Sequence, residues 1–214
     1  MRTDHNSLLL LLNWMSPAFP IGAFAYSHGL EQAIADGRLR NAEDVEIWIS
    51  DLLVRGSGWN DAIFFASCWR QTPASLNEMA LALAASAERY QETTQLGRNF
   101  AIAASVWTNT APPAQTLAYP VAAGQACHAM GVLQEESLLA FLQGFCAALV
   151  SVAVRLVPLG QTAGLQILRK LTPHISATVR RAQSASLDDL GGPCFAAEIA
   201  SMQHETLEPR IFRT

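Results

Sequence analysis

"SLLAFLQGFCAALVSVAV", residues 137–154, runs 18 residues without a charge, and its reading fixes the class of protein. That length is enough for a membrane span to be considered. Gln143, Gly144, Ser137 and Ser151 dilute the run, and its flanks, Glu135-Glu136 and the single Arg155, give little orienting charge. A helix buried on all sides by other helices accounts for the stretch better. The chain therefore reads as soluble, with no membrane partner.

Working outward, the pattern stays helical. Asn41 is placed to cap a helix whose first turn carries Glu43 and Asp44, and Val45, Trp48, Ile49, Leu52 and Leu53 recur on one helical face. Further helices are expected over Ser7–Met15, Asp61–Arg70, 75–109 with a break near Gly97, Val121–Met130, Gln161–Ala185 and Phe195–Glu205. Gly191-Gly192-Pro193 forms a loop. There is no period-two alternation, internal repeat or low-complexity linker. The expectation is an all-α single globular domain of about eight to ten helices over 1–214, with 206–214 as a flexible partner-binding tail.

Composition narrows the function. At 214 residues, half of them hydrophobic and 15% charged, the chain can bury a real core. Net charge is −4, and Lys170 is the one lysine among 14 basic residues. No basic stripe suits nucleic acid. Cys68, Cys127, Cys146 and Cys194 lie far apart without a C-x-x-C pair, which reads as buried, reduced thiols and a cytoplasmic address. Arg2, the Leu8–Leu12 run and Ala23-Phe24-Ala25 imitate a signal peptide, but Asp4 spoils the basic start and Asn13 and Pro17 cut the apolar run short.

Catalytic signals are thin. His28 and Glu31 sit three apart, as metal ligands do on a helix, yet the other adjacent set, His204-Glu205, is remote in sequence. Cys127 and His128 are neighbours and point apart on a helix, so a buried structural cysteine is the better reading. Ser16 and Ser27 lie in no G-x-S-x-G turn, and no phosphate-binding G-x-x-x-x-G-K-[ST] loop occurs. The sequence predicts no catalytic, cofactor or metal residues and no enzyme.

One stretch is odd in another way. "SPAFPIGAFAYSHGLE", residues 16–31, combines three aromatics, two prolines and two glycines with one acidic side chain. Phe19, Phe24 and Tyr26 offer rigid contact area, Pro17 and Pro20 limit the loop's freedom before docking, and Gly22 and Gly29 permit close backbone approach. Two further stretches share its character, "VRLVPLGQTAGLQIL" (154–168) and "ASMQHETLEPRIFRT" (200–214).

These three stretches, with "ETTQLGRNF" (92–100) and "YPVAAG" (119–124), together resemble the urease accessory protein UreF family across nearly the whole chain. Leu165 departs from it, standing where the family pattern has a glutamine. The resemblance implies an all-α, homodimeric, non-catalytic chaperone component. Members bridge the accessory protein UreD (UreH in some organisms) and the GTPase UreG, control the GTPase cycle, support nickel delivery to apo-urease and, together with UreD, provide a passage for the metal. The partner-binding residues expected from the matching motifs are Phe19, Phe24, Tyr26, His28, Glu31, Gln161, Thr162, His204, Glu205, Arg210 and Phe212. Gln161 and Thr162 are expected to meet the GTPase, unless Thr162 caps the following helix. The tail is expected to order when UreD binds, laying Arg210 against the loop around Phe24 and Tyr26. The alternative reading is a small-molecule-binding helical protein, with or without hydrolytic activity, whose pocket is lined by Tyr26, His28 and Glu31.

Overall fold

Residues 134–156 form the helix around which the others pack. A computed structural model describes residues 4–192 and 194–214; Arg2 of the signal-like start and Pro193 of the expected loop lie outside them. The helices are α1 (His5–Trp14), α2 (Leu30–Ala35), α3 (Ala42–Arg55), α4 (Ser57–Ser67), α5 (Pro73–Ala82), α6 (Ala87–Thr108), α7 (Tyr119–Ala129), α8 (Gln134–Leu156), α9 (Gln161–Ser184) and α10 (Phe195–His204). Single 3-10 turns occupy Ala23–Ala25 and Leu187–Asp189, and there is no strand among the described residues. The all-α reading holds.

α8 is long and apolar enough to cross a membrane by length and composition, and half of its apolar window is buried against protein. It touches α1, α2, α3, α4, α7, α9 and the turn at 23–25. Leu138, Phe141, Leu142, Cys146, Leu149 and Val150 carry this packing. The helix is not buried all round, as the sequence suggested. Gln143 and Ser151 are exposed and Gly144, Ala147 and Ala148 half-buried, because residues this small leave open space beside the helix.

Caps decide several boundaries. The Asn41 side chain accepts from the amides of Glu43 and Asp44 at 2.9 and 3.0 Å, as its position predicted. The interruption expected near Gly97 instead falls at residues 83–86, where the Ser86 hydroxyl accepts from the Arg89 amide at 3.1 Å and starts α6. Gly97 serves a different purpose. α6 runs through it, and a Cβ there would lie 1.9 Å from the Leu117 carbonyl oxygen. The bare backbone lets residues 116–118 press onto α6. Asn77 fixes that segment from the other side, donating to Thr116 O at 3.2 Å and accepting from Ala118 N at 2.7 Å. The Thr93 hydroxyl then accepts the otherwise free Tyr119 amide at 3.1 Å, capping α7 from α6.

Burial pushes the thiols of Cys68, Cys127 and Cys146 up to about 12, so they stay protonated and behave as small core hydrophobes.

Gly97→Ala should therefore cost about 3 kcal/mol or abolish folding, because the clash is with backbone that has no rotamer to escape to. Gly160→Ala, which meets nothing within 4 Å, should change stability by less than about 0.5 kcal/mol. Urea denaturation of the two variants checks the contrast.

Candidate functional site

The loop after α1 turns at Gly22, whose φ of 83° only glycine adopts without strain, and enters the 3-10 turn at Ala23–Ala25. Phe24 at its centre is 63% exposed. Phe19 and Tyr26 on either side are buried, Phe19 tilting against Phe100 at 5.5 Å and Trp107 at 5.8 Å. Next, His28 and Gly29 are consecutively left-handed, with φ of 52° and 75°. A Cβ on Gly29 would lie 2.8 Å from Ser201 N and 2.9 Å from Ala197 O, so α10 rests directly on this glycine.

That approach brings α2 and α10 together, and between them His204 is fully buried. Its Nδ1 lies 2.7 Å from Glu88 Oε2 and its Nε2 3.0 Å from Glu31 Oε2, an arrangement that a doubly protonated ring satisfies with two N–H donors. Glu31 also accepts the amides of Ile211 and Phe212, both at 2.8 Å. Arg210 pairs with Glu88 Oε1. Beyond it, Arg213 N donates to Ala25 O at 2.9 Å, Ser27 N donates to Thr214 O at 3.0 Å, and the Ser27 hydroxyl donates to that same carbonyl. The Thr214 hydroxyl donates to Glu92 Oε2 at 3.1 Å. Residues 210–214 thus lie along residues 25–31, held by buried carboxylates and by backbone and hydroxyl hydrogen bonds to residues 25–28.

Glu92 connects this seam to a second cluster. Its Oε1 is 2.8 Å from His28 Nε2, and Arg89 pairs with its Oε2. Burial alone would raise the Glu92 carboxyl, but the Arg89 charge and His28 hold it down at about 2. Burial, aided by repulsion from Arg89, lowers His28; its Nε2 also lies 3.0 Å from Arg89 Nη1 and its Nδ1 3.2 Å from the Ser57 hydroxyl. Asp61 on α4 makes no hydrogen bond among the described residues, and burial pushes its carboxyl up to about 7.

A cavity of about 170 Å³ opens beside this cluster, walled by Phe19, Tyr26, Tyr119, Phe141 and Phe145 and by the small-residue face of α8. A second, of about 60 Å³, lies between α4, α5 and α10. His28, Asp61, Arg89 and Thr93 line both. Among the described residues no group of three His, Cys, Asp or Glu side chains is placed to hold a metal ion.

The structure sorts the expected partner-binding residues into two sets. Phe24, Gln161, Thr162, Glu205 and Arg210 are exposed; Phe19, Tyr26, His28, Glu31, His204 and Phe212 are buried. The second set braces the interior of the chain: the polar atoms of His28, Glu31 and His204 find their partners within it and the rings fill the core. The tail, expected to be flexible, is packed, anchored by Phe212 and by Glu31. Arg210 does not lie on Phe24 or Tyr26 but pairs with Glu88; Arg213 takes the place by the loop, reaching Gln95 Oε1 at 3.2 Å, to which the Tyr26 hydroxyl donates at 2.7 Å. Thr162 is not the cap of α9: Gly160 occupies that position with no side-chain bond. In the alternative pocket, Tyr26 and His28 line the larger cavity, but Glu31 faces the tail. Sequence reasoning missed Asp61, Glu88 and Arg89, which lie in no motif, and did not single out Thr214 within the 200–214 stretch; the four-residue spacing of Glu88 and Glu92 is the signal that places both on one helix face.

Comparison with known proteins puts these motifs in context. Residues 39–172 match the family model described as UreF. The chain is 45% identical over 215 residues to the urease accessory protein UreF of Rhizobium leguminosarum bv. viciae, covering 97% of this chain and 96% of that protein. It is 44% identical over 218 residues to the UreF of Roseobacter denitrificans, covering 100% and 96%. Against a UreF of Cereibacter sphaeroides it is 46% identical over 209 residues, covering 97% and 99%.

Two outcomes follow from the site. Glu31→Ala should cost about 3–5 kcal/mol, since it strands His204 and two backbone amides in the interior. Hydrogen exchange at Ile211 and Phe212 should quicken with it, and continued protection of those amides would contradict the role given to Glu31. Asp61→Asn should stabilise the protein at alkaline pH. In the folded chain Asp61 keeps its proton up to about 7, so between about pH 4 and 7 the unfolded chain ionises first and stability falls. The variant lacks this loss, and its advantage should grow over that window to about 2 kcal/mol and then level off, read by urea denaturation at several pH values.

Proposed function

The chain belongs to the UreF family of urease accessory proteins, and from that membership we propose that it bridges the accessory protein UreD (UreH) and the GTPase UreG on apo-urease during GTP-dependent nickel insertion. It is an accessory factor rather than an enzyme. In this reading it works in the cytoplasm as a homodimer.

The observation that carries the reading is the seam between the 16–31 and 200–214 motifs, which the resemblance had marked separately. The seam turns Phe24, Arg210, Ile211 and Arg213 outward, and Ile211 is 77% exposed. An aromatic, an aliphatic and two guanidinium groups on a braced backbone suit a protein partner, because little freedom is lost on docking. We assign this surface to UreD. The corner between α8 and α9 is a second candidate surface: Arg155, in the last turn of α8 where carbonyls favour a cation, and Gln161 and Thr162 are exposed there. We assign it to the GTPase.

The test is urease activation in cells lacking this gene, complemented by variants at native expression. Phe24→Ala should weaken capture of UreD about tenfold or more, and Gln161→Ala should weaken capture of UreG, each with thermal stability nearly unchanged. Full activation by the double variant, with both partners still recruited, would refute the assignment of these surfaces.

A further inference from the structure

The larger cavity has a chemistry of its own, which does not rest on the accessory role. Its walls are aromatic, and its α8 side is built from Gly144, Ala148, Ser151 and Arg155, one helical stripe whose first three members are too small to fill it. At about 170 Å³ it exceeds the roughly 150 Å³ of an apolar cavity known to hold a benzene ring. Asp61 lines it with a carboxyl that has no hydrogen-bond partner among the described residues. Of the other charges nearby, Arg89 pairs with Glu92, which also takes His28, while Arg155 on the α8 side is exposed and makes no ion pair among the described residues. An uncommitted carboxyl beside aromatic faces complements a cation with an apolar body, since the ring faces favour positive charge and the carboxylate pairs with it.

We propose that this cavity is a binding site for a small organic ammonium ion carrying one ring, its nitrogen on Asp61 and its ring between Tyr119, Phe141 and Phe145. A carboxylate ligand is disfavoured beside Asp61 once that carboxyl ionises, and Arg89 is already engaged, which leaves the exposed Arg155 as the one cation it could meet among the described residues. A neutral ring could fill the space but would leave Asp61 unpaired.

The titratable groups around Asp61 are His28 before α2, Arg89 and Glu92 on α6, Tyr119 on α7, across the larger cavity Tyr26 and Arg155, and, across the smaller cavity, Cys194 and Glu198 at α10. Of these, His28 is the other group that titrates near neutrality, and its lowered pKa keeps it uncharged over most of the range. Asp61 releases its proton at about 7, so the ammonium must gain affinity as Asp61 ionises.

Titration calorimetry of the full chain with benzylamine, toluene and benzoate, at about pH 5.5 and about pH 8, tests this. Benzylamine should bind about 30-fold more tightly at the higher pH, following the ionised fraction of Asp61. Toluene should show no such change, and benzoate should be the weakest. In Asp61→Asn, checked for folding by circular dichroism, the pH dependence should vanish and benzylamine should bind no better than toluene. Ala148→Leu fills the small-residue face without touching Asp61 and should abolish benzylamine binding, which keeps the test decisive if the Asn variant fails to fold. Affinity independent of pH, benzoate or toluene binding as tightly as benzylamine at pH 8, unchanged binding in either folded variant, or no binding at all would each overturn the proposal.

Discussion

A carboxylate taken out of water costs several kcal/mol unless its lone pairs are matched, and this chain buries three in one seam: Glu31, Glu88 and Glu92. Their partners come from distant parts of the sequence. Glu31 on α2 holds amides of the last residues, Glu88 on α6 holds Arg210 and His204, and Glu92 holds Arg89, His28 and Thr214. The three are satisfied together only when the loop, α6, α10 and the tail are all in place. The seam therefore acts as a closure condition on the fold, with Gly29 providing the close contact between α2 and α10 that lets His204 reach both Glu31 and Glu88.

The same requirement explains why the motifs of this family are rich in His, Glu and Arg without forming an enzyme site. His28, Glu31, His204 and Arg210 would look catalytic if listed by residue type. In space their hydrogen-bonding capacity is spent on one another and on backbone amides. What remains exposed is the outer rim, Phe24, Ile211 and the guanidinium groups of Arg210 and Arg213, stiffened from beneath by the buried pairs. A braced rim of this kind is preorganised, and any docking on it would lose less conformational entropy.

The core supplies the counterweight. α8 anchors most of the helices through one apolar face and leaves the opposite face small, so a cavity survives in an otherwise close-packed interior. It reaches inward to the Glu92 cluster, where aromatic walls give way to charge. Asp61 is the member of that region without a protein partner, and its raised carboxyl is the physical consequence.

Much of the fold was legible in the sequence. The uncharged run at 137–154, the Asn41 cap with Glu43 and Asp44 behind it, and the helical spacing of Val45, Ile49 and Leu52 specified buried and amphipathic helices, because periodicity and capping act over one or two turns. The motifs marked the regions that mattered and, through the family, the accessory role. Three things were decided by tertiary structure alone. Gly97 looked like a break and is a contact, since only the approach of Leu117 reveals why no side chain is tolerated. The tail looked free and is bound, since its polar backbone is matched by a glutamate some 180 residues away in sequence. Asp61 drew no attention, since a lone aspartate in a helical segment acquires meaning only when aromatic walls surround it. Local rules fix where helices start and which face is apolar; which buried charge meets which partner depends on long-range packing that no short window of sequence contains.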